Sequence, residues 1–278
     1  MESWVGVENA ASRAALESGI EPPPESDALL RVAVAVELVH AATLVHDDVI
    51  DGSSLRRGRP TVVAVAGRRI ATATGDLLFS RAFAELAGAG SLVSVRVLSL
   101  ASSELAAGEL MQRADSWRAE VSEERYMERC RLKTAVLFRA ACELGAIQGG
   151  GPRAELGAFG EQIGGAFQIL DDILDVTGPP ERTGKPQGAD LLDGTVTLPL
   201  IIARSRDREL GLLDLRSIRT PSDAVTACER IEATGALSTA RERALELVAA
   251  AQISLPRLSE RQHAALELVA SGVVERYS

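Results

Sequence analysis

Apolar and small residues at Leu30, Val34, Leu38, Ala41 and Val45 recur every three or four positions behind a run of three prolines, Pro22 to Pro24. That period predicts a helix over about 28–50, with Ser26 or Asp27 as its cap. Proline and glycine punctuate the rest of the chain into further helix-length blocks, at about 69–88, 92–114, 122–148, 153–177, 197–209, 222–232, 236–254 and 258–276. Two polar stretches break the series and read as loops: 51–61, which holds Gly52, Arg56, Arg57, Gly58, Arg59 and Pro60, and the proline- and glycine-rich 178–194. No fixed-period repeat or low-complexity tract interrupts the pattern, so the expectation is an all-α chain, 1–278 as one many-helix bundle.

Composition agrees with this reading. Of 278 residues 46% are hydrophobic but only 3% aromatic, as in long helices packed through aliphatic and small side chains. The net charge of -9 argues against a nucleic-acid partner. Cys130, Cys142 and Cys228 form no CxxC pattern, which suits a reduced, cytoplasmic protein. The first twenty residues carry Glu2, Glu8 and Glu17 rather than a basic start and an apolar run, and no stretch reaches about 18 uncharged apolar residues. Neither a secretion signal nor a transmembrane segment is expected.

One acidic pattern occurs twice. The first helix ends in Asp47-Asp48-Val49-Ile50-Asp51, and a later one carries Asp171-Asp172-Ile173-Leu174-Asp175. Positions i and i+4 share a helix face, so Asp47 with Asp51, and Asp171 with Asp175, each turn two carboxylates the same way. Such pairs repel one another unless a hard divalent cation lies between them. Magnesium takes one or two carboxylates and completes its shell with water and phosphate oxygens, so each cluster suits a metal-bound diphosphate. A single cluster could be a solvated acidic helix end; two copies on apolar helices make that harder to accept. Cations stand nearby in sequence: Arg56 and Arg57 follow the first cluster, and the chain's only two lysines, Lys133 and Lys185, lie on a middle helix and just after the second cluster.

With these residues in view, the chain resembles the trans-isoprenyl diphosphate synthases, or polyprenyl synthetases. The resemblance runs from about Glu37 to Tyr277. It rests on His40 through Asp51, Arg56-Arg57-Gly58-Arg59-Pro60-Thr61, Gly75-Asp76, Gly108-Glu109-Leu110-Met111-Gln112, Lys133-Thr134-Ala135, Phe167-Gln168 through Asp175, and Gly184-Lys185 through Asp190. It implies an isoprenoid synthase fold around a deep central cavity, a homodimer, and Mg2+-dependent condensation of isopentenyl diphosphate with an allylic diphosphate. By the same resemblance Asp47, Asp48, Asp51, Asp171, Asp172 and Asp175 would hold three Mg2+ ions when substrate is bound. Arg56, Lys133 and Lys185 would hold the allylic diphosphate, and His40 and Arg57 would contact isopentenyl diphosphate. Thr134 and Gln168 would set oxygen dipoles by the developing cation, so Lys133, Thr134 and Gln168 form the catalytic set.

Two departures accompany the resemblance. The family's basic N-terminal GGKRxRP segment has no counterpart here, since Arg13 is the single basic residue before Arg31, and Thr195 stands where the family commonly has a lysine. A truncated start, divergence or lost catalysis could each produce this. The small pair Ala42 and Thr43, one turn before the first cluster, points to a product of twenty carbons or more. A non-catalytic or partner-dependent subunit of a prenyl synthase is the alternative; a terpene cyclase fits less well, because the second acidic cluster is intact and aromatics are few.

Overall fold

The structure, a computed structural model, describes residues 26–56, 58–178 and 186–275. Helix α1 (Ser26–Asp51) forms as expected but buries Val32, Ala35, Val39 and Ala42 rather than the stripe read from the sequence, of which Leu30 and Val34 are exposed. The following loop is more ordered than its polarity suggests. Strand β1 (Leu55–Arg56) pairs antiparallel with β2 (Arg59–Pro60), Leu55 opposite Pro60. Thr61 then caps α2 (Val62–Gly88), accepting a hydrogen bond from the Ala64 amide at 3.2 Å. Helical backbone therefore begins at Val62, not near 69, and breaks at Gly67, whose φ of 80° glycine adopts without the Cβ clash other residues meet.

Helix α3 (Leu92–Asp115) leads to α4 (Glu123–Cys130), and the expected block over 122–148 is continuous but irregular. A five-residue π-turn (Arg131–Ala135) joins α4 to α5 (Val136–Gly149). Helix α6 (Arg153–Thr177) matches its expected span. The stretch 178–194 is not loop throughout: a short helix, α7 (Ala189–Leu192), forms inside it. The block over 197–209 divides into α8 (Leu198–Arg206) and α9 (Arg208–Leu212), because Asp207 accepts from the amides of Glu209 and Leu210 and restarts the helix. After a 3₁₀ turn (Leu215–Ser217), α10 (Pro221–Ala233), α11 (Ala236–Ile253) and α12 (Glu260–Glu275) complete the described chain.

Two apolar clusters hold the bundle. One joins α1, α2, α3 and α5 through residues such as Val39, Leu86, Leu98 and Leu144; the other gathers Tyr126, Phe159, Ile163 and Leu170 with the C-terminal helices. Helix α1 is long and apolar enough to cross a bilayer by length and composition, with the span Asp27–Asp51, yet here it is a bundle helix sharing the first cluster. Glycines bring backbones unusually close around the π-turn. A Cβ on Gly108 would lie 2.5 Å from the Lys133 amide nitrogen, and one on Gly164 would lie 2.6 Å from the Ala135 Cα. Helices α3 and α6 thus clasp the π-turn from two sides.

Candidate active site

A cavity of about 260 Å³ opens where these elements meet. Helix α1 sends in His40, Thr43, Leu44, Asp47 and Asp51, one face of its last turns. Helix α6 brings Phe167, Gln168, Asp171 and Asp172, and α3 brings Leu105, Gln112 and Arg113. Lys133 and Thr134 enter from the π-turn, Arg56 from β1, and Asp190, Asp193 and Thr195 from α7 and the loop after it. Of the small pair on α1, Thr43 faces the cavity while Ala42 is buried in the core.

Most residues singled out in the sequence share this one space, but not all. Asp48 is buried and receives both Nε and Nη2 of Arg56 at 2.9 Å. Asp175 turns toward α7, accepting the Asp190 amide at 3.2 Å. Arg57 and Lys185 lie outside the described residues.

Lys133 donates to Glu109 at 2.6 Å, and Arg113 donates to the other oxygen of Glu109 at 2.9 Å and also to Asp51. Burial would push the Glu109 carboxyl up, yet Lys133 and Arg113 outweigh it and hold the carboxyl below its ordinary value. Arg113 therefore ties α3 to the first aspartate cluster, a role that sequence reasoning missed. The available signal was the four-residue spacing of Glu109 and Arg113 on one face of α3.

A chain of hydrogen bonds crosses the opposite wall. Thr134 Oγ1 donates to Gln168 Oε1 at 2.6 Å, and Gln168 Nε2 donates to Asp172 Oδ1 at 2.7 Å. The Tyr126 hydroxyl, fully buried, donates to Asp172 Oδ2 at 2.7 Å. Burial pushes the Asp172 carboxyl well up, and the charge of Asp190 adds to it. Asp47 is pushed up to about 6, chiefly by burial, with Lys133 opposing and Glu109 and Asp51 reinforcing.

Acidic groups held above their ordinary pKa in an enclosed space are short of positive charge. Their oxygens are the hard donors that a divalent cation prefers. Among the described residues no three acidic, histidine or cysteine side chains converge into a closed cage. Asp47, Asp51, Asp171 and Asp172 line the cavity, and a few such carboxylates, with water and phosphate completing the shell, are what a magnesium-like ion takes.

An all-helical bundle that faces two aspartate turns across one cavity, with lysine and arginine beside them, is the architecture of the isoprenyl diphosphate synthases. The structure superposes on a polyprenyl synthase from Caulobacter crescentus, solved with calcium and isoprenyl diphosphate, with a TM-score of 0.83 and 37% identity over 89% of this chain and 78% of that one. The chain is 43% identical over 217 residues, 74% of its length and 68% of the relative's, to heptaprenyl diphosphate synthase component 2 of Geobacillus stearothermophilus. It is 38% identical over 256 residues, 88% and 79% of the two lengths, to a short chain isoprenyl diphosphate synthase of Methanothermobacter thermautotrophicus. The polyprenyl synthetase family model matches residues 9–229, and the chain belongs to that family. It is a prenyltransferase enzyme of the polyprenyl diphosphate synthase type. The relatives' products differ in length, so membership leaves the product's length open.

Proposed function

We propose that this protein joins isopentenyl diphosphate to an allylic diphosphate in the cavity between α1 and α6. The allylic C–O bond breaks and diphosphate leaves, the isopentenyl double bond attacks the allylic cation to form a C–C bond, and the departing diphosphate takes the proton then lost. Three Mg2+ ions, held by Asp47, Asp51, Asp171 and Asp172, with Asp48 and Asp175 joining once they leave Arg56 and the Asp190 amide, would neutralise the leaving diphosphate as Lewis acids. Arg56 and Lys133, with Lys185, bind the allylic diphosphate, while His40 and Arg57 bind isopentenyl diphosphate. Thr134 donates its hydroxyl hydrogen bond to Gln168 Oε1, so the hydroxyl oxygen presents only lone pairs to the cavity, where they favour positive charge on the substrate. Gln168 cannot turn away, because its amide is held by Asp172. Leu105, Leu137, Phe138 and Phe167 line the apolar part and keep water from the cation.

The observation that carries this reading is the meeting of both aspartate turns, the cations and the Thr134–Gln168 pair in one cavity. We assign a product of twenty carbons or more, supported by the absence of any aromatic on the cavity face of α1 at Thr43. We also read the whole chain as one domain of a cytoplasmic homodimer. Several large apolar side chains on α2 and α3, Val65, Leu77, Leu92 and Leu110, are exposed in the single chain, which suits cover by a second copy, and three free cysteines suit the compartment.

The test is elongation. Purified protein with Mg2+, isopentenyl diphosphate and allylic diphosphates of increasing length should give linear products of at least twenty carbons. A folded protein that elongates no primer would overturn the reading in favour of the second one, a subunit that works only with a partner. The likeness to a heptaprenyl diphosphate synthase component supports that alternative, and adding a partner chain would then restore turnover.

A further inference from the structure

Arg129 lies on α4, one turn after Tyr126, and is 4% exposed. Its Nη2 donates to the Val196 carbonyl, and its Cζ sits 5.4 Å from the centre of the Tyr126 ring. Nη1 is buried and has no hydrogen-bond partner among the described residues. A buried carboxyl can neutralise itself by taking a proton; a guanidinium cannot give one up. A buried charged donor left unmade is costly, so a fold that retains one at a cavity wall is poised for an acceptor that arrives from outside.

The surroundings indicate which acceptor. Arg129 lines the same cavity as Lys133 and the aspartate turns. Its anchor on Val196 ties it to the backbone next to Thr195, and that stretch of wall supplies Asp193 and Thr195 to the cavity but no cation. Tyr126, beneath the guanidinium, spends its hydroxyl on Asp172, so Arg129 and the second aspartate cluster share one support.

We infer that Arg129 is a diphosphate-binding residue: one arm of its guanidinium is fixed on Val196 and the other donates to a substrate phosphate oxygen on the Thr195 side of the cavity. This rests on the proposed function, which makes the cavity's ligand a diphosphate. The acceptor needed is an oxyanion oxygen, with which the one open guanidinium arm makes a short, charge-assisted hydrogen bond.

Inorganic pyrophosphate with Mg2+, titrated calorimetrically into the whole protein, tests the assignment. Arg129→Gln should bind roughly 10- to 100-fold more weakly than wild type, the loss expected for a charge-assisted contact. Adding Thr195→Lys to Arg129→Gln places an ammonium on the same wall and should recover much of that loss. Unchanged affinity in Arg129→Gln would make the arginine purely structural and overturn the inference, whatever happens to the melting temperature. A folded double variant with no recovery would also count against it, since the missing element would not be charge. Should Arg129→Gln fail to fold, Arg129→Lys carries the test: its single compact nitrogen cannot occupy the separate Nη1 and Nη2 positions at once, so binding should weaken several-fold, and wild-type affinity would overturn the inference. Wild-type protein that binds no pyrophosphate would overturn the function reading as well, which separates the two failures.

Discussion

Replacing Gly108 by alanine should damage catalysis more than stability. The added Cβ would stand 2.5 Å from the Lys133 nitrogen and 2.8 Å from both the Leu132 carbonyl carbon and the Lys133 Cα, where ordinary contact begins at 3.4 Å. All three are backbone atoms, so no side chain can swing aside, and α3 must part from the π-turn by about 1 Å. Overpacking of this kind costs about 1–3 kcal/mol, offset by about 1 kcal/mol from alanine's better helix propensity. The net of roughly 0–2 kcal/mol lowers the melting temperature by only a few degrees at this chain length. Turnover is another matter, because the displaced turn carries Lys133 and Thr134 and the displaced helix carries Glu109 and Arg113. A misplacement of about 1 Å can cost about 100-fold in rate. Steady-state kinetics beside a thermal melt would separate the two effects. A Gly108→Ala protein with wild-type kcat would refute the claim that this close approach positions the site.

Two other outcomes follow from the acidic groups. Asp171→Ala should abolish turnover while leaving the helical circular dichroism intact; near-normal turnover would remove Asp171 from the metal-binding set. For the metal-free protein, the native state keeps a proton on Asp172 and, up to about pH 6, on Asp47, where the unfolded chain has lost both above about pH 4. Their contribution to stability is thus full below about pH 4 and falls as pH rises, by about 1.4 kcal/mol per pH unit for each retained proton. Magnesium binds the deprotonated carboxylates, so the rise in melting temperature from chelator to Mg2+ should be larger at pH 8 than at pH 6, and an equal or reversed difference would contradict the assignment.

Helix α6 was legible from its spacing, and α1 was legible as a helix, but not its inward face: Leu30 and Val34 of the expected stripe are exposed, because α1 is apolar nearly all round and its period does not single out the buried side. The two aspartate turns were legible too, since repetition of an unfavourable motif needs a cause. What escaped is held by contacts distant in sequence. The π-turn spans five residues, too few to shift the apolar period, and its surroundings at Gly108 and Gly164 look like ordinary helix glycines until the partner backbones are in place. The short α7 hides in a stretch whose proline and glycine content argues for loop. Asp48 and Asp175 belong to the motifs, but their present partners, Arg56 and the Asp190 amide, come from other elements. Arg129 resembles any surface arginine in a charged helix; only tertiary burial leaves it with an unmade bond.

The wide turn at Arg131–Ala135 also sets the phase between the two halves of the long helical rod it interrupts. Each residue of a regular helix advances the side chains by about 100°, so a chain shortened by one residue there would turn Tyr126 and Arg129 about a quarter revolution away from Thr134 and Phe138. The upstream half supports the second aspartate cluster through Tyr126, and the downstream half supplies Leu137 and Phe138 to the apolar part of the cavity. Their alignment is kept like the teeth of a gear, so the number of residues in this stretch matters as much as the identity of Lys133 and Thr134 within it.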